Sequence, residues 1–186
     1  MRVIAGTARR LLLKTLPGDD TRPTTDKIKE TLFNMINFDL PGCRFLDLFA
    51  GSGAMGIEAL SRGAERAVFI ENNPKAVAVI KENLIHTKLI DEADVITGDC
   101  AAALRRLEVS TKHVFGIVFM DPPYDKDLED GVLRVLKTSR LIDEDTMIIL
   151  ETSIDNDIAR LEDLGYNIEK VKSYKSNKHV FLRRKA

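Results

Sequence analysis

The run Phe45-Leu46-Asp47-Leu48-Phe49-Ala50-Gly51-Ser52-Gly53-Ala54-Met55-Gly56 constrains the fold more than any other stretch of the chain. It reads as a buried strand, a tight glycine turn and a helix start, a path that needs a backbone able to take positive φ. Such units occur in open α/β sheets, where ligands sit at the carboxyl edge of the strands, against a helix N-terminus. Apolar runs recur at 45–49, 67–70, 94–97, 115–120 and 147–150, with helical patterns at 54–61, 74–86, 101–107, 128–138 and 154–164. Strand and helix alternate, which predicts a doubly wound parallel sheet. The tail departs from this pattern: 168–174 and 179–183 are β-capable and joined by the polar stretch 175–178, predicting an antiparallel hairpin. The expected fold is therefore α/β and Rossmann-like, with a seven-stranded, mostly parallel sheet.

Ahead of the first core strand, Ile28, Leu32, Met35 and Ile36 recur at helical spacing, and Thr24, Thr25 or Asp26 can cap that helix. Residues 1–16, with Gly6 in the middle, fit a small hairpin. The 186 residues, 44% of them hydrophobic, suffice for one core. One domain over 1–186 is expected, with an extension at 1–40 and a catalytic core at 41–186. The two cysteines, Cys43 and Cys100, lack the spacing of a metal set or a disulfide framework. His86, His113 and His179 have no ligand spacing either, so no metal is expected. With no secretory core and no membrane-length apolar run, the expected location is the cytoplasm.

The net charge of −1 is unevenly distributed. Residues 1–44 hold eight Lys or Arg against five Asp or Glu, and residues 169–186 hold seven against one, which leaves the middle strongly acidic. Basic ends flanking an acidic core suit a polyanionic partner, with Arg9, Arg10, Arg22, Lys175 and Lys178 as candidate contacts. Solvated surface charge is the plainer reading of the same counts.

Read literally, Gly51, Gly53 and Gly56 satisfy G-x-G-x-x-G, and Glu71 follows at dinucleotide-binding distance. The acids decide between ligands. Asp47, Glu71 and Asp99 stand at the carboxyl ends of three successive strands, and such a rim repels a pyrophosphate. S-adenosylmethionine, cationic and without phosphate, fits it. Asp47 is expected near the methionine moiety, Glu71 on the ribose hydroxyls with Asn72 beside it, and Asp99 on the adenine amine. Phe49, Gly51, Gly53 and Cys100 then border the cofactor, although Phe49 and Cys100 also read as core. Strand-end acids can instead cap the helices that follow.

The fourth strand runs into Asp121-Pro122-Pro123-Tyr124 at the same edge. An exocyclic base amine is a weak nucleophile because its lone pair is delocalised into the ring. Groups that accept its hydrogens draw the nitrogen toward sp3, and the Asp121 carboxylate and Pro122 carbonyl can do so. The prolines preset an acceptor-rich turn, and the Tyr124 ring offers a stacking surface for an extruded base.

This tetrapeptide with the upstream glycine loop resembles the amino-methyltransferase signature. The run Arg22-Pro23-Thr24-Thr25-Asp26-Lys27-Ile28-Lys29-Glu30-Thr31-Leu32-Phe33-Asn34 resembles the bacterial 16S rRNA guanine-N2 methyltransferases, and the likeness spans essentially the whole chain. The resemblance implies methylation of a guanine 2-amino group in ribosomal RNA, within a partly or fully assembled small subunit. It also implies that 22–34 helps close the site, with Arg22, Thr24 and Thr25 near the methionine carboxylate or a substrate phosphate. Ala5-Gly6-Thr7-Ala8-Arg9-Arg10 is a less regular version of the family's glycine- and arginine-rich start. Alternatives are an amino-methyltransferase for another RNA, DNA or a small amine, a nicotinamide oxidoreductase, and a non-catalytic RNA-binding module. Sequence-reading DNA enzymes need a recognition domain, for which the 67 residues between Gly53 and Asp121 leave no room.

Overall fold

In the computed structural model, residues 1–16, 26–123 and 128–186 are described. The glycine unit forms as expected: β1 (Arg44–Leu48) leads through the turn into α2 (Ala54–Ser61). It is preceded by α1 (Asp26–Met35), which buries Lys29, Leu32 and Phe33. Alternation then continues through β2 (Arg66–Glu71), α3 (Pro74–Thr87), β3 (Ala93–Thr97), α4 (Cys100–Ser110), β4 (Ile117–Met120), α5 (Leu128–Thr138) and β5 (Met147–Ser153). A short α6 (Arg160–Asp163) precedes the hairpin of β6 (Tyr166–Ser173) and β7 (Asn177–Arg184).

The seven strands lie in the order β3-β2-β1-β4-β5-β7-β6. The first five pair in parallel, and β7 pairs antiparallel with both β5 and β6. The chain winds outward from β1 to β3 and returns to add β4 on the other side of β1. That reversal opens a crevice at the carboxyl ends of β1 and β4, the place where doubly wound sheets bind ligands. Apolar side chains cover both sheet faces: Phe45, Ile57, Phe69 and Phe119 belong to one cluster, and Leu46, Leu48, Val118 and Leu133 to the other. No described helix is long and apolar enough to cross a membrane.

Two local expectations need correction. The pattern at 154–164 suggested a full helix, but only Arg160–Asp163 is helical. Ser153 Oγ accepts from Asp155 N at 3.4 Å and Asp157 Oδ1 accepts from Ala159 N at 2.9 Å, so side chains compete for the amides a helix would use. The hairpin turn is shorter than expected, spanning Tyr174 to Ser176, because the Tyr174 amide bonds back to the Asn177 carbonyl. Residues 1–16 fold back on themselves through the antiparallel bridge Arg2–Leu12, flanked by the Val3 amide on the Leu11 carbonyl and the Leu13 amide on the Met1 carbonyl. Asp26 is the first residue of α1, and its carboxylate binds the Arg2 amide and guanidinium. Thr24 and Thr25 lie outside the described residues.

What fixes the N-terminal loop is α2. Ser61 on that helix accepts the Ala8 amide and donates to the Ala5 carbonyl, while its own carbonyl accepts the Thr7 amide. Gly6, at φ +83, lies so close that a Cβ would sit 1.6 Å from the Ser61 carbonyl oxygen.

Candidate active site

The turn after β1 is built from unusual backbone. Phe49 takes φ +59 although it is not glycine, and Gly51 and Gly53 follow at +54 and +77. A bulky side chain held in the left-handed region is a local cost that persists only where surrounding contacts over-determine it. Those contacts are carboxylates. Asp47 Oδ2 accepts the Gly56 amide at 2.9 Å, and Glu71 Oε2 accepts the Gly51 amide at 2.8 Å. The other Glu71 oxygen takes the Asn73 amide, so one side chain ties the glycine loop to the start of α3. Gly56 itself admits no side chain, because a Cβ would fall 2.3 Å from the Phe69 ring.

Beside this turn is a cleft of about 250 Å³, bordered by Asp47, Phe49 and Gly51 from β1 and its turn, Phe119 and Asp121 from β4, and Glu151 from β5. Three carboxyl groups line it, and no Lys or Arg side chain does so among the described residues. Burial is the main cause that pushes the Asp47 carboxyl up to about 8; the neighbouring charges of Glu71 and Asp121 add to the rise, and the Gly56 hydrogen bond opposes it. A cationic ligand fits such a cleft and a pyrophosphate does not.

The sequence-predicted residues separate into three sets. Asp47, Phe49, Gly51 and Asp121 border the cleft directly. Glu71 and Gly53 build the loop, and Pro122 is buried next to Asp121 in the chain. Asp99 and Cys100 occupy the start of α4: Asp99 is the N-cap, accepting the Ala102 amide at 2.9 Å, while Cys100 is buried with its thiol pushed up to about 12 by desolvation. Helix capping is thus an observed role of Asp99, which is exposed at the end of β3. Asn72 is exposed next to Glu71.

Among the basic candidates, Arg9, Arg10 and Lys175 are exposed. Lys178 is a correction. It is 9% exposed and its ammonium donates to the carbonyls of Ile154 at 3.1 Å and Asn156 at 2.7 Å, so its charge caps backbone rather than facing a phosphate. Arg22, Thr24 and Tyr124 lie outside the described residues. Sequence reasoning missed Glu151, Met1 and Thr15, which also line the cleft. Glu151 follows the apolar run Ile148-Ile149-Leu150, so the strand-end rule applied to β1, β2 and β3 would have found it at β5.

The raised Asp47 carboxyl makes cofactor affinity pH-dependent. Below about pH 8 the group holds its proton, and raising the pH through 8 ionises it beside a cationic ligand. S-adenosylmethionine affinity should therefore rise by about tenfold between pH 6.5 and 9, the worth of roughly 1–2 kcal/mol of attraction in this setting. Asp47→Asn keeps an oxygen for the Gly56 amide but cannot ionise. Calorimetric titration of both proteins isolates the effect from the ligand's own ammonium; equal pH profiles would show that Asp47 does not sense the cofactor.

Comparison with known proteins agrees with this geometry. The family model described as Conserved hypothetical protein 95 matches residues 1–183. The Bacillus subtilis protein YlbH, named provisionally as an rRNA methyltransferase, is 42% identical over 153 residues, covering 81% of this chain and 82% of the relative. The ribosomal RNA small subunit methyltransferase D of Haemophilus influenzae is 33% identical over 155 residues, covering 83% and 80%. A solved structure from Escherichia coli, provisionally named a methyltransferase, superposes with a TM-score of 0.82 at 29% identity, covering 100% of this chain and 98% of the other. S-adenosylmethionine, cationic and without phosphate, suits the acidic cleft at the glycine loop. With the family model spanning nearly its whole length, the chain belongs to the Conserved hypothetical protein 95 family, as an rRNA methyltransferase of the same type as the Haemophilus influenzae enzyme.

Proposed function

We propose that this methyltransferase acts on the exocyclic 2-amino group of a guanine in 16S ribosomal RNA, within a partly or fully assembled small subunit. One observation carries the reading: the glycine turn after β1 and Asp121 after β4 converge on one acidic cleft where the strand order reverses. The names of the relatives supply the RNA class.

S-adenosylmethionine, when bound, supplies a methyl group already made electrophilic by a sulfonium. The chain's own residues must then hold a poor nucleophile in line. In this reading Asp47 and Glu71 shape the loop that seats the cofactor, Glu71 and Asp99 offer acceptors to its ribose and adenine, and Asp121 and the Pro122 carbonyl accept the amine hydrogens. Loss of a proton from the methylated amine is favourable once the nitrogen carries positive charge, so no base with a tuned pKa is needed. Arg9, Arg10 and Lys175, exposed on the basic ends, are the groups offered to phosphates.

The test is methyl incorporation from labelled S-adenosylmethionine into small subunits, free 16S RNA and large subunits, followed by mass spectrometry of the nucleosides. N2-methylguanosine in the small-subunit RNA is expected. Label on adenosine, in large-subunit RNA or in protein would refute the assignment.

A further inference from the structure

A buried polar chain ends in the cleft wall at Glu151. Glu151, 3% exposed, stands opposite His179 in the β5–β7 register, and His179 is fully buried. His179 Nε2 lies 3.0 Å from Glu151 Oε2, and Asn177 Nδ2 donates to Glu151 Oε1 at 2.6 Å. On the other side of the imidazole, Nδ1 lies 3.2 Å from the Tyr174 hydroxyl. A carboxylate only accepts, so Nε2 is the donor in the His179–Glu151 pair, while Nδ1 meets the Tyr174 hydroxyl. The imidazole edge also packs against Phe119, another residue of the cleft wall, with centroids 6.2 Å apart. Two donors from β7 therefore hold the carboxylate in one orientation.

Its place in the sheet separates it from the cofactor side. The glycine loop and Glu71 follow β1 and β2, Asp121 follows β4, and Glu151 is on β5, the next strand outward. Neighbouring parallel strands run about 4.8 Å apart, so Asp121 and Glu151 form adjacent acceptors on the far side of Asp121 from the glycine loop. Among the bases, guanine alone places a ring N1–H donor beside an exocyclic amine on its Watson–Crick edge. Adenine and cytosine present a ring lone pair there, which a carboxylate repels.

We propose that Glu151 is the specificity residue that recognises the substrate as guanine, accepting N1–H beside the amine held by Asp121, and that His179, Asn177 and Tyr174 are its positioning residues. This deepens the guanine reading above and rests on it. The discriminating probe is 2-aminopurine, which keeps the exocyclic amine but has a bare lone pair at N1. Small subunits are reconstituted with 16S RNA carrying either guanine or 2-aminopurine at the nucleotide mapped by mass spectrometry.

Wild-type kcat/KM should be at least about a hundredfold lower on 2-aminopurine, as expected when a site built for an N–H donor meets an analogue without it. Glu151→Gln offers an amide N–H to the N1 lone pair as well as one oxygen to N1–H, so the preference for guanine over 2-aminopurine should shrink by at least about tenfold. Tyr174→Phe, which frees the imidazole on its outer side, should narrow the guanine preference several-fold with S-adenosylhomocysteine affinity unchanged. That split is not what a purely structural role would give.

Equal wild-type rates on the two particles would overturn the proposal, and that arm decides even where Glu151→Gln fails to fold. A Glu151→Gln protein that loses both substrates equally and binds S-adenosylhomocysteine weakly would overturn it too, assigning the carboxylate to the methionine ammonium. A wild type that leaves guanine particles unmethylated instead sinks the guanine reading, and this inference with it.

Discussion

Asp121→Ala should lower single-turnover methylation of assembled small subunits by at least about a hundredfold while leaving S-adenosylmethionine affinity near normal. Asp121 is placed directly after β4, at the switch point, where its carboxylate borders the cleft from the strand next to the glycine loop. The loop's own hydrogen bonds come from Asp47 and Glu71, so the cofactor seat survives the change. What disappears is a group that orients the amine and accepts its hydrogens as the nitrogen approaches sp3, an interaction that strengthens toward the transition state. Loss of such a group lowers kcat and kcat/KM together, whereas loss of uniform binding raises KM alone. Stopped single-turnover assays with parallel cofactor titration separate the two outcomes. Near-normal turnover, or a collapse of cofactor binding, would remove Asp121 from the amine.

Much of this arrangement was legible in the sequence because glycine turns and strand-end acids report local backbone requirements. Gly51 and Gly53 take positive φ, and the 45–56 run forms the predicted strand-turn-helix unit. The roles of individual acids were less legible. A strand-end carboxylate can face a ligand, cap a helix or tie a loop, and Asp99 is seen capping while Asp47 and Glu71 tie the glycine turn. Lys178 counted toward a basic tail because charge sums ignore direction; β7 is buried from Asn177 to Leu182, and the Lys178 ammonium turns onto two carbonyls. His179 lacked a metal spacing and so drew no role, since its partner Glu151 is 28 residues away and is met only through antiparallel pairing. Long-range side-chain pairs of this kind leave no periodic signal in one sequence.

The same blindness hid a second buried network, and its disruption should give the largest stability loss. Glu58 on α2 and Lys29 on α1 are both fully buried, with Nζ 3.1 Å from Oε2. Glu58 also accepts the amides of Ile4 and Ala5 and the guanidinium of Arg62, and Lys29 donates to the Arg2 carbonyl. One carboxylate thus joins two helices to the N-terminal segment whose Met1 reaches the cleft wall. Glu58→Ala leaves an ammonium and two amides buried without their acceptor, which costs about 3–5 kcal/mol and lowers the melting temperature by about 10 °C. Desolvation already depresses the Lys29 pKa, and Glu58 opposes that shift. Without Glu58 the depression deepens. Between the folded pKa and the ordinary lysine value the unfolded chain then binds more protons than the folded one, so the variant regains stability as pH rises through that window. Adding Lys29→Met to a Glu58→Gln background should recover part of the Glu58→Gln loss, because an apolar side chain removes the unpaired charge while the single glutamine oxygen still accepts one of the Ile4 and Ala5 amides. Thermal denaturation of the two singles and the double at several pH values measures the coupling. Additive losses with no pH dependence would mean that the pair contributes only packing, and that the N-terminal wall of the cleft is held by the Ser61 contacts instead.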